Sequence, residues 1–224
     1  MRSRVLIVLC ALIVATAALG SGTASAGSGD PYGFNGTSPV SLRLHKRWIQ
    51  WAFGSSSAPL LQEDFCGEQI GGNFYLTVAG GSNSSITRHI ECDIPAGVPI
   101  LATPGGSIFW APTFGTTDQK LRKATLAEQE LLLVRSVHLK LDGVEIDHGP
   151  TVMPDPYDLS LEPGNLLETV DPNVTGDSTR IAEAWYFTLF RPLDTGTYTL
   201  LATDKFDYPT GVARFRTVFT LHVG

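Results

Sequence analysis

Two cysteines, Cys66 and Cys92, restrict this chain more than any other feature of its sequence. They stand 26 positions apart, and a chain exported to an oxidising compartment joins such a pair as a disulfide by default. Closing a loop of that size removes roughly 3 to 4 kcal/mol of chain entropy from the unfolded state. A reactive thiol or a metal pair would need histidine partners that the spacing does not supply.

Export is read from the first 26 residues. Arg2 and Arg4 supply a positive start, Val5 to Leu19 form an apolar run, and Ala24-Ser25-Ala26 ends in the small-x-small pattern of a cleavage site. The run is short of the roughly 20 residues a membrane-spanning helix needs. A third cysteine, Cys10, follows Leu9 inside the run and not a small residue at its end, so lipid attachment is not expected. The expected organisation is a signal peptide over 1–26, a flexible Gly/Ser/Pro-rich lead-in over 27–39 and a single β-sandwich domain over 40–224. The expected location is extracellular, with no membrane insertion.

Removing 26 of the 224 residues leaves 198. Two of the 16 basic residues go with them and none of the 22 acidic ones, so the net charge becomes −8. An acidic balance of that size argues against nucleic acid as a partner.

Along the chain, Leu44, Trp48 and Trp51 recur at helical spacing after Ser41, predicting a helix that ends at Gly54. Its polar face would carry Arg43, His45, Lys46 and Arg47. Phe74 to Ala79 and Ser85 to Ile94, joined by Gly80-Gly81-Ser82-Asn83, read as a hairpin. Short strands follow at Val98 to Ala102 and Ser107 to Ala111, and a second helix at Asp118 to Leu131. Val134 to Leu141 alternates cleanly and turns through Asp142-Gly143 into Val144 to Asp147. Five prolines between Gly149 and Asp177 predict long loops with one short strand at most. Ala182 to Phe190 reads as a central strand, and Phe215 to Val223 as an alternating closing one. Tyr198, behind Leu193-Asp194-Thr195-Gly196, fits a tyrosine corner. Strands without a βαβ rhythm predict a mainly β fold, a Greek-key β-sandwich of Ig-like or jelly-roll type with two peripheral α-helices.

Trp48-Ile49-Gln50-Trp51, Pro59-Leu60-Leu61 before Cys66, and Cys92-Asp93-Ile94-Pro95-Ala96-Gly97 occur in one order with the Asp-Gly hairpin and Pro192 to Tyr198. In that order the chain resembles an uncharacterised group of secreted bacterial proteins, from about Trp48 onward. The resemblance implies export and a single-domain architecture. It implies no catalytic residues, and members of the group carry more cysteines.

Candidate chemistry gathers in a few places. His89, Glu91 and Asp93 alternate along one strand face, a set able to bind a divalent cation or to act as acid and base. The competing reading is an ordinary solvated sheet face. Glu145, Asp147 and His148 form a second carboxylate cluster, although neighbours at i and i+2 do not flank a substrate alone. Asp155, Asp158, Asp171 and Asp177 offer oxygens to calcium without the spacing of a calcium loop. Trp110, between Gly105-Gly106 and Pro112, reads as a loop-exposed ring for sugar stacking. Asn35, Asn83 and Asn173 begin glycosylation sequons. No nucleophile elbow, zinc-protease helix or phosphate loop occurs. No cofactor and no metal is therefore expected. The expected function is a non-catalytic module that binds a glycan or cell-surface partner, the alternative a secreted hydrolase with an acid–base pair drawn from Glu91, Asp93, Glu145 and Asp147.

Overall fold

The computed structural model describes residues 39–56, 64–76, 86–132, 136–146, 149–208 and 211–224. The expected signal peptide, the lead-in up to residue 38 and the turn at 80–83 lie outside them. So do Asp147, His148 and the sequons at Asn35 and Asn83.

The first helix, α1 (Pro39–Ile49), runs into a five-residue π-helical turn, Gln50–Gly54. Ser41 therefore lies inside the helix and not at its cap. Gly54 closes the turn because a Cβ there would stand 2.4 Å from the Ser160 carbonyl oxygen. Gln50 occupies the same corner, donating from Nε2 to that oxygen at 2.9 Å and accepting from the Ser160 N–H at 3.2 Å.

One sheet has the order β1 (Gly67–Ile70), β2 (Asn73–Leu76), β4 (Ile100–Trp110), β8 (Ser178–Phe190), β7 (Gly149–Ser160). The other has the order β10 (Gly211–Val223), β9 (Gly196–Tyr208), β5 (Ser136–Leu141), β6 (Val144–Glu145). β3 (Ile86–Ile94) runs alongside β10. Gly224 donates to the Ile94 carbonyl and Ala96 donates to the Gly224 carbonyl, each at 3.1 Å, as in a parallel pair. The fold is thus a mainly β sandwich of two packed sheets carrying α1, α2 (Asp118–Leu132) and a one-turn α3 (Leu166–Val170).

Alternation along β8 explains the layering. Ile181, Trp185 and Phe187 face the helical side and pack with Trp48, Trp51 and Phe53. Trp48 meets Trp185 edge-on at 5.2 Å and Phe187 at 5.6 Å. Ala184, Tyr186 and Phe190 face the second sheet, where Val137, Leu200 and Phe219 wait. α2 covers the remaining end of that same face, Leu121 seating on Phe109 and Ala182. Every second residue of β10 from Phe215 to Val223 is buried, as its pattern predicts.

Three expectations about elements are corrected. β2 and β3 do not form a hairpin: β2 pairs with β1 and β4, while β3 crosses to the other sheet beside β10. Ile90, Cys92 and Ile94 are buried there, in one cluster with Phe219, Leu221 and Val223. β4 is one 11-residue strand where two were expected, its Thr103-Pro104-Gly105 stretch absorbed as an irregularity between Ala102 and Gly105. The proline-rich region holds the 12-residue β7 and α3. β7 tolerates Pro150, Pro154 and Pro156 because it is an edge strand, hydrogen-bonded only to β8, with its own irregularity between Met153 and Tyr157.

The disulfide Cys66–Cys92 is present, with 5.4 Å between its Cα atoms, and ties the entry to β1 in one sheet to β3 beside the other. Tyr198 donates its hydroxyl to the Asp194 carbonyl at 2.9 Å, the contact of a tyrosine corner. Among the described residues no helix is long and apolar enough to cross a membrane.

Candidate functional site

His89, Glu91 and Asp93 point outward from β3, as strand alternation requires, and all three are exposed. Of the three, only Asp93 borders a concave surface. Where β3 and β10 end and β9 begins, a surface groove of about 500 Å³ opens, with Asp93, Pro95, Thr195, Thr197 and His222 among its lining residues. His222 joins two strands across it. Its Nε2 lies 2.7 Å from Glu91 Oε2 and its Nδ1 lies 3.3 Å from Thr197 Oγ1. A neutral imidazole donating from Nε2 and accepting at Nδ1 satisfies Glu91, Thr197 and both of its own nitrogens. Sequence reasoning missed His222, although it is a solvent-facing position of an alternating strand, which is the signal that could have found it.

The second carboxylate cluster does not meet the first. Glu145 sits on β6, at the far edge of its sheet, where it pairs with His138 at 2.9 Å and Lys140 at 3.1 Å. Burial works against its charge, but the hydrogen bonds from His138 and Lys140 outweigh it and hold the carboxyl below its ordinary value. From β3 to β6 is four strand spacings, about 19 Å. That exceeds the roughly 5 to 10 Å across which paired carboxylates attack one glycosidic bond. Glu145 therefore cannot form an acid–base pair with Glu91 or Asp93, and Asp147 lies outside the described residues.

Trp110 is not a loop ring. It is the last residue of β4, only 2% exposed, and stacks edge-on with Phe114 at 4.8 Å. It donates from Nε1 to Asp171 Oδ2 at 2.7 Å. Its neighbours Gly105 and Gly106 belong to the strand, so what reads as a loop flank is a close approach of β4 to β8: a Cβ on Gly106 would lie 2.4 Å from the Trp185 ring. All four tryptophans are buried, so no tryptophan offers a sugar-stacking face.

Three of the four candidate calcium carboxylates are taken up otherwise. Asp155 pairs with Arg122 at 2.5 Å and Asp158 with Arg180 at 3.3 Å. Asp171 also accepts from Thr113 and from the N–H and Nδ2 of Asn173, which begins the remaining sequon. Burial pushes the Asp171 carboxyl up, but the bonds from Thr113, Trp110 and Asn173 outweigh it and hold it below its ordinary value. Asp177 is exposed. Among the described residues no three His, Cys, Asp or Glu side chains stand close enough to hold a metal ion.

A second polar constellation, also unseen in the sequence, lies under α1. His45, expected on the solvent face of the helix, is 0% exposed, and its Nε2 lies 2.6 Å from Oε2 of the equally buried Glu183 on β8. Tyr157 of β7 donates its hydroxyl to the other Glu183 oxygen. Burial, and then the charge and hydrogen bond of Glu183, raise the Tyr157 phenol well above its ordinary value. That phenol is a donor and not a nucleophile. Lys46 Nζ sits 4.2 Å above its ring. Glu183 shares a strand face with Ile181, Trp185 and Phe187, so a carboxylate at an apolar position of a central strand was the available signal. The constellation fixes α1 in place.

No family model, curated protein or solved structure matches the chain.

Proposed function

We propose that the chain is an exported, non-catalytic module that holds a glycan or cell-surface partner in the groove between the ends of β3, β9 and β10. The observation that carries this reading is the Glu91–His222–Thr197 arrangement beside Asp93 in a groove of about 500 Å³, within the range of small-ligand sites. An Asp93 carboxylate accepts from hydroxyl groups, and Thr197 both donates and accepts, so the lining suits a hydroxyl-rich ligand. Export is supported by the Cys66–Cys92 disulfide, since such bonds persist in oxidising compartments. With Trp110 in the core, recognition rests on hydrogen bonding and not on ring stacking. The test is retention on a glycan array. Asp93→Asn and His222→Ala should lose the bound glycans while Glu145→Gln at the opposite edge keeps them. An array on which the native protein binds nothing removes the glycan reading.

A secreted hydrolase is the second reading, and the 2.7 Å Glu91–His222 contact favours it. A carboxylate that orients an imidazole beside a second carboxylate, Asp93, is an arrangement able to move a proton. Turnover of a polysaccharide or ester panel that Glu91→Gln abolishes would establish it, and silence across the panel would exclude those substrates.

A further inference from the structure

Among the described α-helices, α1 alone has no carboxylate. The helix contains no acidic residue, and Arg43, Lys46 and Arg47 are exposed on it at i, i+3 and i+4. Like charges at that spacing repel, by a few tenths of a kcal/mol for each pair. Part of this is offset at the helix end, where Lys46 and Arg47 oppose the dipole, but Arg43 lies a turn earlier. None of the three forms an ion pair among the described residues. The carboxylate that neighbouring β1 presents, Glu68, is taken by Trp51 Nε1 at 2.9 Å. By contrast Arg122, Lys140 and Arg180, on other elements, each hold an acid.

Two further features shape this surface. The His45–Glu183 contact and the ring packing of Trp48 fix the rotation of α1, and Lys46 is drawn onto the Tyr157 ring of β7, which leaves Arg43 and Arg47 to project from the outer side. The Arg47 guanidinium lies over the turn between β1 and β2, where a Cβ on Gly71 would be 3.6 Å from Nη1 and one on Gly72 would meet nothing within 4 Å. Both glycines have positive φ, as a two-residue hairpin turn needs. They also leave a shelf free of side chains beside the guanidinium.

We propose that this face, Arg43 and Arg47 with the Gly71-Gly72 shelf, docks an anionic polysaccharide, a polymer bearing carboxylate or sulfate groups. Charge complementarity selects the class: a polyanion is repelled by an acidic chain except at the one helix that carries only cations. A flat strip of spaced cations suits an extended polymer better than a single small anion. Among the described residues this face presents no exposed aromatic ring on which nucleic-acid bases could stack, which sets a polysaccharide ahead of a single-stranded nucleic acid. The face lies on the helical side of the first sheet, away from the groove of β3, β9 and β10, so the two surfaces can be tested apart.

The experiment is elution of the full mature protein from immobilised heparin in a salt gradient, with the uncharged matrix as control. The native protein should be retained at low salt. Arg43→Gln with Arg47→Gln should weaken binding by about tenfold or more and flatten the dependence of log affinity on log salt by about two. Arg214→Gln, an exposed cation on β10, should leave elution unchanged. Flow-through of the native protein, or equal elution of the double variant, overturns the proposal. So does equally tight, Arg43- and Arg47-dependent retention on immobilised DNA, which would mark the strip as a general anion exchanger.

Discussion

Glu183 is the residue whose chemistry departs furthest from its surroundings. Its carboxylate is fully buried between Tyr157 and His45, with neither Lys nor Arg bonded to it. Removing one partner from such a contact strands the other, so Glu183→Ala should cost about 3 to 5 kcal/mol in urea unfolding followed by circular dichroism. Replacing both partners with apolar groups, Glu183→Met with His45→Phe, should recover most of that loss, since no polar group is then stranded except the Tyr157 hydroxyl. A single-variant cost below about 1 kcal/mol would mean the pair is not closed in solution. Asp171 makes a prediction in pH. Its carboxyl is held below its ordinary value by Thr113, Trp110 and Asn173 against the upward push of burial, so its contribution is complete above the ordinary Asp range and lost as pH falls through the depressed value. Acid titration of tryptophan fluorescence should therefore show a loss below about pH 4 that Asp171→Asn reduces. Neither residue was legible as what it is. Glu183 hides in an apolar strand and His45 among cations, because sequence reports the face of a residue only when its neighbours agree. Trp110 was misread for a related reason: glycines before it and a proline after it have the composition of a loop, whereas the glycines are there to let two strands approach.

At the scale of elements, the legible parts were those whose signals are local. The α1 and α2 spans, the Asp142-Gly143 turn with its positive φ at both positions, and the Tyr198 corner each follow from a few adjacent residues. The partner of a strand is not local. β3 has the length and turn chemistry to pair with β2, yet it runs beside β10, where its buried face of Ile90, Cys92 and Ile94 packs across the sandwich with Phe74 and Leu76 of β2. β7 was hidden by prolines that an edge strand accommodates. The contact of β4 with β8 gives an element-scale test. Gly106 pairs with Trp185, and a Cβ there would come within 2.4 Å of the indole and 2.6 Å of the Ala184 carbonyl. Gly106→Ala should lower stability by about 1 to 3 kcal/mol and change the near-ultraviolet dichroism of the tryptophans, whereas Gly143→Ala, in open space at a turn, should leave that spectrum unchanged. The alanine at 143 still carries strain from its positive φ, so the spectrum and not the stability separates the two variants.

Across the whole molecule, one covalent link joins what packing alone would have to hold. The chain leaves the first sheet after β2 and reaches β3, beside the second, before returning to β4. Cys66–Cys92 closes that excursion at its base, so the bond limits how far the two sheets can separate in the unfolded chain as well as in the folded one. With 26 positions between the cysteines, the chain-entropy model assigns it about 3.5 kcal/mol. Marginal stability makes that a large share of the total. The double variant Cys66→Ser, Cys92→Ser should lose about that much unfolding free energy in urea denaturation and unfold at a lower midpoint, with the slope of the transition increased because its unfolded state is less compact. If the groove reading holds, the loss should reach beyond stability. Asp93 follows Cys92 directly, and Glu91 precedes it, so the bond anchors the strand that presents Glu91 to His222 and Asp93 to the groove. Ligand retention by the folded double variant, measured at urea concentrations where it is fully native, should then fall more than that of Glu145→Gln, which touches neither strand nor sulfur. Equal retention would separate the two roles, leaving the disulfide as a staple between sheets and the hydrogen bonds of β3 with β10 as what holds the groove.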